Sequence, residues 1–149
     1  AFVAGISITE IKDIFQLREV LDCMAVRLAF GQVATSDLDE FEVLFNNLMK
    51  GPDDQDAYEA LQIDRRFHEM ILEASGNKWL KDLTGLLLER SQLIRIVSLK
   101  YPGRMKTSWL EHLQLITLLR LGDSCASEKC ALQHVVNARD AVLRAVSGE

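Results

Sequence analysis

The sequence predicts an all-α protein, an antiparallel bundle of about six helices. Apolar residues recur at intervals of three and four residues almost from end to end, and only two prolines occur among 149 residues. Short turn motifs separate the apolar segments. This spacing places apolar side chains along one side of each helix, and short connections make consecutive helices antiparallel neighbours.

Capping and turn residues delimit the first three helices. The first is predicted from about Thr9 to Val33, where an apolar seam of heptad type runs along the segment. The second begins at Ser36-Asp37, whose side chains suit an N-cap, and stops at Gly51-Pro52. The third, Asp53–Ser75, ends in a turn at Gly76 that is typical of a helix C-terminus.

Three more helices follow in the second half of the chain. The fourth, Lys78–Leu99, is ended by Tyr101-Pro102-Gly103, because proline and glycine interrupt a helix. The fifth, Arg104–Leu121, is closed by Gly122. Asp123-Ser124 opens the sixth, which ends near Ser147.

Residues 1–7 do not follow the helical pattern, and Phe2-Val3 looks extended. We therefore expect residues 1–7 to be the tail of something upstream, and residues 8–149 to form one helical domain.

Charge and composition exclude several classes of protein. The net charge is −5, from 17 basic and 22 acidic residues, so this segment alone is not expected to hold nucleic acid. No apolar run approaches the ~20 residues of a membrane span, and the first residues do not resemble a signal peptide. Cys23, Cys125 and Cys130 are an odd number without a CxxC pair, which indicates reduced thiols in a cytoplasmic protein.

The three histidines all fall on the apolar stripes of predicted helices. His68 has Asp64 one helical turn before it on the same face, and His112 and His134 follow on two later helices. Burying these polar groups without partners would be costly, and one divalent metal ion bound by all four is the simplest way to satisfy them.

The alternative to a metal site is that each of these buried polar residues has its own hydrogen-bond partner within the protein. A mutual hydrogen bond between Asp64 and His68, or a salt bridge from Asp64 to Arg18, would serve for that pair alone. We favour the metal site because small side chains neighbour His134 and leave room for an ion and its ligand. These neighbours are Ala131, Ala138, Ala141 and Ala145.

One carboxylate with three imidazoles suits a borderline divalent cation. Zinc is our first choice, and nickel, manganese and cobalt also fit the ligand set. Four protein ligands would close a tetrahedral site, or they would fill part of an octahedron and leave positions for water or a ligand carboxylate. We take the second arrangement as the functional one.

Two arginines are candidates for binding a small organic acid. Arg18 interrupts the apolar seam of the first helix, so it either extends to the end of the bundle or points into the cavity and binds a carboxylate. Arg95 belongs to a polar stripe with Thr84, Ser91 and Ser98, a pattern more typical of a solvated face than of a pocket wall. We assign Arg18 and Arg95 to the effector site, beside an internal cavity that holds the metal.

Several motifs resemble those of a known family. They are Leu17-Arg18-Glu19 with Leu21, Asp64-Arg65-Arg66-Phe67-His68, Ala74-Ser75-Gly76-Asn77, Glu111-His112, Leu121-Gly122-Asp123 and His134. Together they span about Ile8 to Val146, and they resemble the FadR-type C-terminal (FCD) ligand-binding domain of GntR-family transcription regulators. One departure is Asp22, where many members carry a glutamate.

The resemblance implies an all-helical effector sensor that forms a homodimer. It implies that Asp64, His68, His112 and His134 hold a divalent ion, that a small carboxylate binds beside it, and that Arg18 can turn toward the acid. DNA would be contacted only through an N-terminal winged helix-turn-helix domain, which this chain lacks. Ala1-Phe2-Val3-Ala4 resembles the last strand of its wing. The resemblance therefore implies that residues 1–7 are the remnant of that upstream DNA-binding domain or a linker, and that residues 8–149 form the effector-binding and dimerisation domain. No membrane partner is implied.

Two other classes of function remain open. The first is a helical metalloenzyme whose metal activates water. It would need a free general base, whereas Asp64 is used on the metal, Glu111 lies off the His112 stripe, and Glu69 and Glu73 lie on the outer face. The second is a structural dimerisation bundle without a ligand, in which the polar residues would pack against one another.

Overall fold

Six helices make up most of the chain, of which the computed structural model describes residues 2–3, 5–52, 55 and 57–148. They are α1 (Ile8–Ala29), α2 (Thr35–Lys50), α3 (Ala57–Ala74), α4 (Lys78–Lys100), α5 (Arg104–Leu121) and α6 (Ser124–Ser147). The predicted all-α bundle of six helices is confirmed.

A short β-hairpin precedes the bundle. Strand β1 (Phe2–Val3) pairs antiparallel with β2 (Ile6–Ser7), so the extended conformation predicted for Phe2-Val3 is confirmed. Gly5 in the connecting turn has a φ of 81°, which glycine adopts without strain. The buried side chain of Ile6 joins the core next to α1. The assignment of residues 1–7 to an upstream domain stays a prediction.

Local hydrogen bonds explain where the helices begin. The Ser7 hydroxyl accepts from the backbone N–H of Glu10 at the start of α1, and Asn77 and Asp123 cap α4 and α6 in the same way. α2 differs from the prediction, because its N-cap is Ala34 and no side chain caps it. Ser36 and Asp37 lie inside its first turn, where the negative charge of Asp37 interacts favourably with the positive end of the helix dipole.

Two other predicted boundaries change. α1 ends at Ala29 rather than Val33, because the chain turns at Gly31 with a φ of 73°. α3 begins at Ala57 in the described chain, and the predicted start at Asp53 lies outside the described residues.

Two apolar clusters form the core. The larger one draws on all six helices and is built around Phe41, Phe45, Phe67 and Trp109. The smaller one joins the hairpin to α1, α4 and α6, and Phe15 is its largest side chain. The three cysteines are free thiols. Within the described ranges, no helix combines the length and apolarity needed to cross a membrane.

Candidate metal centre

The three imidazoles and the carboxylate predicted to bind a metal come together inside the bundle. α3 carries Asp64 and His68 one turn apart, α5 carries His112, and α6 carries His134. One potential ligand atom from each side chain lies within 4.8 Å of all the others. The Nε2 atoms of His68 and His112 are each 3.5 Å from Oδ1 of Asp64.

These ligand atoms are buried, and several have no partner. Asp64 is 4% exposed, His112 2% and His134 8%. Nε2 of His68 and both ring nitrogens of His112 are buried without a hydrogen-bond partner among the described residues. The 3.5 Å between His68 Nε2 and Asp64 Oδ1 is too long for the predicted mutual hydrogen bond. Unpaired buried polar atoms are costly, and here they converge on one point, so the donor set fits a cation.

Burial keeps the imidazoles neutral. Desolvation lowers the pKa of His68 and that of His134 to about 4, and it lowers the pKa of His112 well below the ordinary histidine value. A neutral imidazole presents the lone pair that a metal ion needs. At neutral pH all three rings are therefore competent ligands without losing a proton.

Aromatic packing fixes the position of the His112 ring. Its centroid is 4.8 Å from that of Phe45 and 4.8 Å from that of Phe67. Both phenylalanines are fully buried in the larger core cluster. The ring is therefore held by packing rather than by a hydrogen bond.

Glu111 forms a second layer of contacts behind the ligands. Its carboxylate accepts hydrogen bonds from Nδ1 of His134 at 2.6 Å and from Nδ2 of Asn137 at 2.6 Å. Arg104 donates to both carboxylate oxygens at 2.9 Å. Glu111 lies off the stripe of His112, as the sequence predicts, but it reaches α6 and belongs to the site.

The Glu111 carboxylate is ionised and fully engaged. Burial would raise its pKa, but the hydrogen bonds from His134 and Arg104 outweigh that effect and lower the pKa. An ionised acceptor at Nδ1 of His134 keeps the ring proton there, so Nε2 is left with the free lone pair. A carboxylate with three donors is not the free general base that the metalloenzyme hypothesis needs.

The two arginines predicted to bind an effector lie in one polar pocket next to the ligands. Arg95 forms a salt bridge with Oδ2 of Asp64, so the predicted alternative of a salt bridge between Asp64 and Arg18 is wrong. Arg18 donates to Asp22 at 3.0 Å and is buried, with its side chain 4% exposed. Asp64, His134 and Arg104 also line this pocket, together with Ser98 and Ser108.

The expectation that the polar stripe of α4 is a solvated face is wrong. Thr84, Ser91 and Ser98 are all buried, because α4 packs against four other helices, α1, α3, α5 and α6. Two of the hydroxyls donate hydrogen bonds to backbone carbonyls. Ser91 donates to the carbonyl of Leu88 at 3.4 Å, and Ser98 donates to that of Ala138 at 3.2 Å. Arg95 and Ser98 line the polar pocket, whereas Ser91 is packed in the interior away from it.

A second, mostly apolar pocket also reaches the ligands. Its lining includes His68, His112, His134, Phe67, Ile71 and Ala131. Of the small residues predicted beside His134, Ala131 lines this pocket and Ala138 lines the polar one, whereas Ala145 is exposed and lies outside both.

The fold is a six-helix bundle, and its interior holds a cluster of one carboxylate and three imidazoles. The family model described as "FCD domain" matches residues 13–137, and the chain therefore belongs to the FCD domain family. The resemblance noted in the sequence is thus confirmed. None of the curated proteins matches the sequence significantly.

Among solved structures, the chain is similar to the "Metal-free FCD domain of TM0439 a putative transcriptional regulator". The two share 19% sequence identity, and the superposition has a TM-score of 0.84. It covers 97% of this chain and 99% of that chain. The likeness shows that the two proteins have the same fold.

Proposed function

We propose that this chain is the regulatory domain of a transcription regulator, which binds one divalent metal ion and, through it, a small organic acid. The observation that carries this proposal is the convergence of Asp64, His68, His112 and His134, with potential ligand atoms within 4.8 Å of one another. Membership of the FCD family supports the regulatory role, as does the likeness to a domain described as part of a transcriptional regulator.

The metal would occupy the point on which the ligand atoms converge. Asp64 Oδ1 and the Nε2 atoms of the three histidines would bind it, and zinc is the first candidate, with nickel, manganese and cobalt as alternatives. The bound ion would supply a Lewis acid for a carboxylate. Because the similar FCD domain of TM0439 has this fold in a metal-free form, we infer that the ion adds to a bundle that already folds without it.

The polar pocket would take the acid. Arg18 and Arg95 line it beside Asp64, so an acid group on the metal would lie next to both guanidiniums. The side chain of Arg18 is buried, yet its Nε has no hydrogen-bond partner among the described residues. That donor remains available to a ligand.

Effector binding would be transmitted through α1. Arg18 lies on this helix, which follows the hairpin directly. An acid that draws Arg18 toward the metal would shift α1 relative to α3, and the shift requires that the acid binds the two arrangements with different affinity. The DNA-binding heads would be separate winged helix-turn-helix domains in the cytoplasm, and α1 would set their relative placement.

A homodimer would bring two such heads to a two-fold operator. α1 carries four exposed apolar residues at helical spacing, namely Leu17, Val20, Met24 and Leu28. Single exposed apolar residues are ordinary, but a contiguous stripe is typical of a protein interface. We assign this stripe of α1 to the contact with a second copy of the chain.

Metal content and affinity test the proposal directly. We expect about one ion per chain by elemental analysis, and nanomolar or tighter binding in competition with a chromogenic chelator. His112→Ala and His134→Ala should both lose the ion, whereas Glu59→Ala, an exposed carboxylate at the start of α3, should retain it. Full metal loading in both histidine variants, with circular dichroism showing intact helices, would contradict the proposal.

Acid binding needs its own measurement. The metal-loaded domain should be heated in the presence and absence of small organic acids, and turnover of the same acids should be monitored. A rise in melting temperature without turnover supports a sensor, whereas turnover lost on chelation supports the metalloenzyme. In the full-length regulator, the same acid should change the affinity for operator DNA.

A further inference from the structure

We propose that the effector is a dianion, in which one acid group binds the metal and a second binds the arginines of the polar pocket. This inference rests on the proposed metal-dependent binding of an acid, and it specifies the charge of that acid.

The charges around the site balance before any metal is bound. Among the described residues, three carboxylates line the two pockets, and so do three guanidiniums. They form three pairs, Arg18 with Asp22, Arg95 with Asp64 and Arg104 with Glu111. All six side chains are at most 13% exposed.

The imidazoles add no charge to this balance. A histidine binds a metal ion through the lone pair of its neutral ring, so three imidazole ligands contribute no charge to a metal-loaded site. Each of the three ion pairs is neutral as a whole, so a divalent ion bound to neutral rings gives the site a charge of +2.

A buried site with a charge of +2 is unfavourable unless anions accompany the ion. The free energy of transferring unpaired charge out of water is large, and it falls when charges of opposite sign enter together. A dianion restores neutrality by itself. A monocarboxylate leaves one positive charge, which hydroxide or a buffer anion would have to neutralise.

The polar pocket has a place for the second acid group. Arg18, Arg95 and Arg104 all line it, and the metal ligands Asp64 and His134 form one of its walls. The Nε atoms of Arg18 and Arg104 are buried and have no hydrogen-bond partner among the described residues. Two buried donors on cationic groups would bind an acid group strongly.

The apolar pocket lacks these features. It includes the carboxylates of Asp22 and Glu111 but none of the three guanidiniums. An acid group there would meet negative charge. We therefore place both acid groups of the effector on the side of the arginines.

Matched acids of equal chain length test the proposal. The zinc-loaded domain should be titrated in a calorimeter with succinate and butyrate, and with malate and 3-hydroxybutyrate. We expect the dianion of a pair to bind at least tenfold more tightly than its monoanionic partner. A monoanion that binds as tightly as its dianionic partner would refute this inference alone. Absence of binding by all four acids to a loaded domain would count against acid sensing itself and would remove the inference with it.

Two variants change the site charge in opposite directions. Asp22→Asn adds one positive charge and frees Arg18, so the preference for the dianion should increase. Arg18→Met removes one positive charge, so the preference should fall, whereas Arg18→Lys should largely retain it. Arg27→Met is the matched control, because Arg27 lies on the same helix with its side chain 62% exposed, and it should leave the preference unchanged. An unchanged preference in both Asp22→Asn and Arg18→Met would overturn the charge argument.

Discussion

Nδ1 of His134 donates a hydrogen bond to Oε2 of Glu111, 2.6 Å away across the interface of α5 and α6. The contact orients the imidazole and determines which nitrogen carries the proton. Arg104 donates to both oxygens of the Glu111 carboxylate, so the orientation of His134 depends on a chain of three side chains. Carboxylate partners of this kind make a histidine ligand more basic and keep its ring in place.

Replacing Glu111 should weaken metal binding although Glu111 is not a ligand. We expect Glu111→Ala to lower the zinc affinity about 10- to 100-fold, because His134 loses the partner that fixes its tautomer. Glu111→Gln should lose less, since the amide oxygen still accepts from Nδ1. Chelator competition at pH 7.5 measures both variants, with the exposed Glu59→Ala as the control. A zinc affinity equal to that of the wild type in Glu111→Ala would show that His134 is positioned by packing alone.

Metal removal should lower the thermal stability without unfolding the domain. Zinc at about a thousand times its dissociation constant adds about 4 kcal/mol to the free energy of unfolding. For a domain of this size, that corresponds to a rise of roughly 8–16 °C in melting temperature. Differential scanning fluorimetry of the chelated and the zinc-loaded domain measures the rise. His112→Ala should melt at one temperature with or without zinc, and an equally large rise in that variant would place the ion elsewhere.

Much of the fold could be predicted because helix periodicity and caps are local. Gly103 and Gly122 have left-handed backbone conformations at the two ends of α5, where the sequence places its boundaries. The start of α2 could not be predicted in this way. Ser36 and Asp37 are good capping residues, yet Ala34 is the N-cap, since backbone N–H groups of the first turn bond to its carbonyl.

The ligand cluster could be predicted in part for the same reason. Asp64 and His68 share a helix face, and His112 and His134 interrupt apolar stripes, so each of these residues is predicted to face the interior. Glu111 could not be found by this argument, because it lies off the stripe and contacts His134 only after α5 packs on α6. The polar stripe of α4 could not be interpreted from the sequence for a similar reason. The periodic spacing of its polar residues does not tell whether another helix packs over that face of α4.

Acid should destabilise the metal-free domain through its histidines. The pKa of His68 and that of His134 fall from 6.5 in the unfolded chain to about 4 in the folded one. Between these values the unfolded chain binds more protons, so the free energy of unfolding falls as the pH falls. The loss is on the order of 2 kcal/mol for each imidazole by pH 5.

Urea unfolding of the chelated domain at pH 7.5 and pH 5.0 measures this loss. His68→Gln lacks one of the two imidazoles, so its stability should depend less on pH than that of the wild type. Equal pH dependence in the two proteins would mean that His68 is not buried in its neutral form.

The apolar stripe of α1 should hold two chains together. Val20 lies in the middle of the stripe and is 66% exposed in the single chain. A charge at its centre would have to be buried unpaired in the interface, which is costly. We expect Val20→Asp to convert the dimer to a monomer in sedimentation equilibrium at micromolar concentration.

Val43→Asp is the matched control for this experiment, because Val43 is 58% exposed on α2, outside the stripe. It introduces the same charge at a similarly exposed valine, so a general effect of the aspartate on solubility or folding would appear in both variants. Zinc binding reports the integrity of the bundle, since the ligands lie on α3, α5 and α6 and not on α1. A monomeric Val20→Asp that still binds zinc, beside a dimeric Val43→Asp, would assign the interface to α1. Dimers in both variants would exclude the stripe, and the contact would then have to lie on another exposed face.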